Sequence, residues 1–322
     1  MPARKFQGRT RSITSIVFAV CICVGHGAIA QSTDRTLLEA DSLLKAEKPQ
    51  RALELLDKVA SDGGNARVHV ARARVFDALN RNDRFLLEIE QALRLDSTLA
   101  EAHHLRATYA LRAQDMAKAV YHGGKAIQYT NDPQLAAQDR IIRGLGNADR
   151  KNIPQAIEDL EMGLAAGIQD IEAMRTLARL YDASGRHEDA LHVLEKLTVL
   201  EPGDVGHWSN RAFELIQLDR NEEALQMIDE ALKIDKDEPV ALSNRAFIYY
   251  HMGRDKEAME DVDRSLQYYP ANAHALRTRA LLHLRKGDTR KACTDLSLAK
   301  VLADIPDVDR LLEEHCASQK ER

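Results

Sequence analysis

The chain has 322 residues, 44% of them hydrophobic, 30% charged and 5% aromatic, with a formal net charge of −5. That is a soluble composition rich enough to bury an extended core, and length alone would allow two ordinary domains. The acidic balance argues against nucleic acid as a partner, because phosphate binding rests on clustered positive charge.

Residues 1–30 read as an export signal. Arg4, Lys5, Arg9 and Arg11 make a basic start, Ile13 to Val24 is an apolar run, and Ala28-Ile29-Ala30 presents small residues at the cleavage spacing. The run is shorter than the ~20 apolar residues that span a bilayer, and no second such stretch follows. Neither Cys21 nor Cys23 follows a small residue, as a lipoprotein cleavage site would require. Cleavage before Gln31 is expected, with a periplasmic or secreted location and no stable membrane insertion. Removing those four basic residues from a chain of net charge −5 leaves −9.

From Thr33 onward the sequence is periodic. Ala190, Ala224, Ala258 and Ala292 stand 34 residues apart, and nearly the same stride leads back through Ala156, Ala119 and Phe85 to Ala52. Such a period marks stacked supersecondary units. The clearest unit starts at Pro239. Counting that residue as position 1 puts Leu242, Ala246 and Tyr249 at positions 4, 8 and 11, and Ala258, Val262 and Ser265 at positions 20, 24 and 27. Each trio is one face of a helix at i, i+4, i+7. Gly253 at position 15 breaks the chain between the two helices, and Pro270 at position 32 ends the second by lacking an amide donor. Alanine at positions 8 and 20 lets the two backbones approach. One hairpin cannot bury both its faces, so each unit needs neighbours.

Large and small residues at these offsets resemble the tetratricopeptide repeat family, and the resemblance covers residues 33–306. It implies an all-α fold: a right-handed superhelical solenoid of eight helix-turn-helix repeats with a C-terminal capping helix. Departures begin in the first two units and increase around the third and fourth. Phe85 replaces alanine, Thr36 stands where a large residue is usual, Gly123 and Gly124 lie inside a helix, Gly144 and Gly163 occupy positions 8 and 27, and three extra residues intervene near Pro133. Two readings stay open: a softer joint between residues 31–136 (repeats 1–3) and 137–306 (repeats 4–8), or decay of the pattern without motion.

Residues 307–322 form the cap, with Val308, Leu311, Leu312 and His315 on one face and Asp307, Asp309, Arg310, Glu313 and Glu314 turned to water. Downstream of the signal only Cys293 and Cys316 remain. In an oxidising compartment they suggest a disulfide, the alternative being two buried thiols.

The family lines its concave groove with positions 2, 5, 9, 12 and 13 of each first helix. Carried onto the last three repeats, this gives an apolar strip of Phe213, Ile216, Phe247, Tyr250, Leu281 and Leu284, with a basic C-terminal edge of His251, Arg277 and Arg285. The competing reading is that position 12 packs against the next repeat. In the second to fifth repeats the same positions are more polar, including Arg175, Arg179 and Asp182. Arginine recurs at position 7, pointing away from that groove, and Asp159, Asp261 and Asp295 at position 23 suggest pairs within a hairpin. Ser243-Asn244-Arg245-Ala246 resembles the co-chaperones that clamp a chaperone's C-terminal carboxylate, but the matching residues of the flanking repeats are absent.

Enzyme chemistry is not expected. His187 and His192 are spaced i, i+5 rather than the i, i+4 of a zinc-protease helix, and His103 and His104 are adjacent and diverge. There is no nucleophile elbow and no phosphate loop, and Gly144-Leu-Gly146 falls inside a repeat helix. The reading is a non-enzymatic scaffold or adaptor that holds a peptide or protein partner in its groove, with no cofactor and no metal. The alternative is a chaperone-like or regulatory subunit of an export, envelope-assembly or modifying enzyme complex.

Overall fold

The local rule of this chain is a helix hairpin closed by one left-handed residue. In the computed structural model, which describes residues 33–60, 65–305 and 307–317, position 15 has positive φ at each of eight successive turns, from 55° at Glu47 to 78° at Gly287. One residue later the backbone N–H donates to the position-11 carbonyl at 2.8–2.9 Å, as in Arg81 N to Phe76 O and Arg254 N to Tyr249 O. This closure satisfies the orphan carbonyls at the end of each first helix. Only Gly185, Gly253 and Gly287 fill that position with glycine; Glu47, Asn80, Gln114, Lys151 and Asp219 adopt it as ordinary residues.

The chain divides into two compact units after Gly146. Within the first, helices α1 (33–45) and α2 (Pro49–Ala60), α3 (Ala66–Ala78) and α4 (Asn82–Leu95), and α5 (Ala100–Arg112) and α6 (Met116–Tyr129) form hairpins, and most of α7 (Pro133–Asp149) follows. The second holds α8 (Ile153–Ala165) and the hairpins α9 (Ile171–Ala183) with α10 (His187–Leu200), α11 (Val205–Gln217) with α12 (Asn221–Ile234), α13 (Pro239–His251) with α14 (Asp255–Tyr268), and α15 (Ala273–Arg285) with α16 (Thr289–Leu302). Helix α17 (Val308–Cys316) closes it. No strand occurs among the described residues, and none of their helices is long and apolar enough to cross a membrane. The expected signal at residues 1–30 lies outside them. The fold is an all-α helical-repeat solenoid.

Alanines 73, 107, 212, 246 and 280 at position 8, and 52, 119, 156, 190, 224, 258 and 292 at position 20, are fully buried, which is where paired backbones come closest. Phe85 fits at the same position because its ring lies against Tyr109, with centroids 5.4 Å apart, in a pocket that also holds Phe76 and Ile89. Arg72, Arg245 and Arg279 at position 7 pair within their hairpins, whereas Arg211 reaches Glu195 of the preceding hairpin at 3.0 Å. Arg245 grips Asp261 through two hydrogen bonds of 2.7 and 2.8 Å, Arg279 grips Asp295 through two of 2.8 Å, and Arg72 reaches Glu88 at 2.9 Å. The Asp261 and Asp295 carboxylates are buried, and they hold the Arg245 and Arg279 guanidiniums above the ordinary arginine range. Such half-buried, bidentate pairs contribute more than exposed ones.

In the first unit the residues inserted near Pro133 become an extra turn at the start of α7, which runs 17 residues where its counterparts run 13. The helical glycines mark close approach. A Cβ at Gly123 would meet the Asp139 carbonyl oxygen at 3.3 Å, and one at Gly146 would meet Val120 Cγ2 at 2.8 Å.

The last core, Leu276, Leu296, Ala299 and Ile305, is covered by Val308 and Leu311 of α17. Cys293 and Cys316 are joined as a disulfide, with Cα atoms 5.7 Å apart. Asp307, expected in water, is turned inward instead and accepts from Arg277 Nε at 2.6 Å.

Candidate binding groove

Helices α11, α13 and α15 start alike. Asp204, Glu238 and Asn272 each accept a backbone N–H of the first turn, which fixes where each helix begins and therefore which face it turns inward. Positions 8 and 11 face the core. Position 9 is then left on the opposite side, where Phe213 and Phe247 are half-buried.

These aromatic side chains line a groove of about 830 Å³. Of the expected site residues, Phe213, Ile216, Phe247, His251 and Arg277 are brought together there. Ile216 is buried and also belongs to the core around Leu215 and Ile228, so part of the strip serves packing. Tyr250, Leu281, Leu284 and Arg285 are not in the lining. Leu281 and Leu284 pack on the terminal core that α17 covers, Tyr250 packs on the cluster of Ala258 and Val262, and Arg285 lies over the Tyr250 ring at 3.8 Å from its centroid.

The expected basic edge is neutralised. Arg277 is held by Asp307 and Arg285 by Asp255, while Arg285 Nη1 also donates to the Tyr250 carbonyl at 3.1 Å. Burial opposes ionisation of Asp307, but the Arg277 guanidinium outweighs it and keeps the carboxyl below its usual range. Desolvation, then the Arg277 charge, holds the His251 and His274 imidazoles below the ordinary range, so both are neutral at pH 7. Asp182, Asp219 and Asp304 remain in the lining, which makes the groove acidic rather than basic.

Two polar residues of α13 complete it. Asn244 Nδ2 donates to the Ser209 carbonyl at 3.1 Å and ties α13 to α11. The buried Ser243 hydroxyl has no hydrogen-bond partner among the described residues. A buried hydroxyl without a partner costs free energy that a bound ligand can recover. Position 5 of the repeat already put Ser243 beside the strip, and it lies in the lining; spacing passed over Asp304 and Asp307 as groove residues, and nothing local signals them.

Two histidine–carboxylate groups stand at this end of the second unit. Glu201, Asp204 and His207 surround Arg175, whose Nη2 lies 2.8 Å from Glu201 Oε2 and 2.7 Å from Asp204 Oδ2. In the other, His187 Nδ1 lies 2.9 Å from Glu214 Oε2 and 3.8 Å from Asp182 Oδ1. Burial pushes the Glu214 carboxyl up, the His187 hydrogen bond opposes that, and the Asp182 charge adds to it.

A family model described as a tetratricopeptide repeat matches residues 37–100 and 175–239. No curated protein matches the chain. Among solved structures it is similar to the C-terminal part of a TPR repeat-containing protein from Cytophaga hutchinsonii, at TM-score 0.52 and 18% identity, covering 75% of this chain and 98% of that one. It is also similar to PilW, a widely conserved type IV pilus biogenesis factor, at TM-score 0.50 and 19% identity, covering 63% of this chain and 93% of that one. At such identities the likeness shows the fold alone. Residues 37–100 and 175–239 match the tetratricopeptide-repeat model, and the same hairpin register with alanines at its crossings continues through the other described hairpins.

Proposed function

We propose that the second unit holds an extended segment of a partner protein in the groove between α11, α13 and α15, as a non-enzymatic scaffold working in an exported compartment. The fold is in general a scaffold for protein–protein interaction. The observation that carries the finer reading is the lining itself: Phe213 and Phe247 beside a buried, unpartnered Ser243 hydroxyl, with Asp182, Asp219 and Asp304 around them. Aromatic walls take apolar anchors, and the Asp219 and Asp304 carboxylates select basic neighbours. The partner segment therefore carries apolar side chains flanked by lysine or arginine. This differs from a carboxylate clamp, whose ligand is acidic.

The test is capture from the native exported fraction with the full chain and with a Phe213→Ala/Phe247→Ala variant. Recovery of a stoichiometric partner is expected to fall more than about tenfold, since buried aromatic anchors each cost 2 kcal/mol or more on truncation, by rough estimate. Helical circular dichroism is expected to stay unchanged. Undiminished recovery would remove the groove from consideration, and a captured segment rich in Asp and Glu would reverse the charge argument.

A further inference from the structure

We propose that Asp182, His187 and Glu214 form a binding site for a divalent transition-metal ion, with Zn²⁺ as the committed choice. One imidazole nitrogen and one oxygen from each carboxylate lie within 4.8 Å of one another. The three come from different elements: the last turn of α9, the first residue of α10 and the buried side of α11. Bonds of about 2.0–2.1 Å to nitrogen and oxygen set neighbouring ligand atoms of a tetrahedral zinc roughly 3.3 Å apart. The 2.9 Å and 3.8 Å separations from His187 Nδ1 bracket that value. Asp182 is half-exposed, so it can make the remaining adjustment.

A second observation is independent of the spacing. The Glu214 side chain is only 4% exposed, and its one hydrogen-bond partner among the described residues is His187. No lysine or arginine pairs with Glu214 or Asp182 there. A buried carboxylate without a cation is costly, and proteins meet that cost by pairing the charge or by binding a metal. The neighbouring group shows the first solution, because Glu201, Asp204 and His207 are built from the same residue types and enclose the Arg175 guanidinium. The Asp182 group has no such resident cation.

Imidazole with carboxylates suits zinc and its first-row neighbours better than calcium or magnesium, which prefer all-oxygen sets. Metal on Nδ1 leaves the His187 proton on Nε2. Three protein ligands leave a fourth position for water, on a wall where Asp182 and His187 line the groove. The inference does not depend on any partner protein, because metal binding is read from the free chain.

The experiment is calorimetric titration of Zn²⁺ into chelator-stripped full-length protein, with the intact disulfide confirmed. One equivalent is expected to bind saturably. Glu214→Gln, His187→Gln and Asp182→Asn are each expected to weaken binding more than about tenfold, whereas His192→Gln, at an exposed imidazole on the same helix α10, leaves it unchanged. Because Glu214 is buried, circular dichroism of each variant is recorded, and Asp182→Asn supplies the same readout at a half-exposed position. X-ray absorption of the loaded protein is expected to show a mixed nitrogen and oxygen shell without sulfur. Absence of saturable binding, or affinity in the three variants equal to that of the unsubstituted protein, overturns the site.

Discussion

Glu47, Asn80, Gln114, Lys151 and Asp219 hold positive φ at the position where three other hairpins use glycine. A left-handed conformation costs a residue with a Cβ about 1–2 kcal/mol, and glycine gives back about 0.4–1 kcal/mol through the freer unfolded chain. Gln114→Gly and Lys151→Gly are therefore expected to stabilise the protein by about 0.5–1 kcal/mol each, read as a higher denaturant midpoint with unchanged slope. The converse is Gly253→Ala, where an added Cβ would meet nothing within 4 Å, so any loss reports the backbone angle alone. With the same unfolded-chain term subtracted, a loss of about 0.5–1 kcal/mol is expected, and a neutral Gly253→Ala would show that these turns relax at no cost. Specificity follows the same residue-level logic: the side chain at position 15 is free to vary because the turn is held by backbone hydrogen bonds and not by the side chain.

At the scale of elements, α17 is the helix with least support of its own. It is nine residues long and its N-cap side chain accepts no hydrogen bond, so it depends on Val308 and Leu311 and on the bond from Cys316 to Cys293. That crosslink spans 23 residues and is worth about 3 kcal/mol in the chain-entropy model. In Cys316→Ser, hydrogen exchange across 308–316 is expected to lose most of its protection while α11 keeps its own. Equal protection in both proteins would show that packing alone secures the cap. This end of the molecule also marks where sequence stops being informative. Periodicity gave the core faces, because positions 4, 8 and 11 obey the helix repeat whatever covers them. It put Leu281 and Leu284 on the groove although it also gave a cap at residues 307–322, because periodicity does not say which side chains of the last hairpin the terminal core takes. The charge of the groove was misjudged for a related reason, since Arg277 and Asp307 are 30 residues apart and only the tertiary fold pairs them. The histidine search asked for two ligands on one helix and so did not sample His187 and Glu214, which meet from α10 and α11.

Over the whole molecule, acid acts through two opposed effects. Net charge is −5, so mild acidification reduces self-repulsion and favours the compact state. Five histidines, His103, His122, His251, His274 and His283, are held below the ordinary imidazole range, chiefly by desolvation. For such a group the unfolded chain takes up its proton first as pH falls. Its contribution is fully present above the unfolded value of 6.5 and is lost as pH drops toward the folded one. His122 is the largest case, pushed down to about 4 by burial, then by His103 and Arg106 of α5 and Lys118 of its own helix, with Asp115 opposing. Its Nδ1 lies 2.9 Å from that of His103, so both rings cannot carry that nitrogen's proton. Discounted for the partial exposure of the ring, the loss between pH 6.5 and 4 is about 1–2 kcal/mol. His122→Gln keeps a hydrogen-bonding side chain without a titrating proton. The difference in stability between pH 7 and pH 4.5 is therefore expected to shrink by about that amount in the variant, measured by urea unfolding at both values. An unchanged difference would place the acid sensitivity in other groups and leave the paired imidazoles as packing alone.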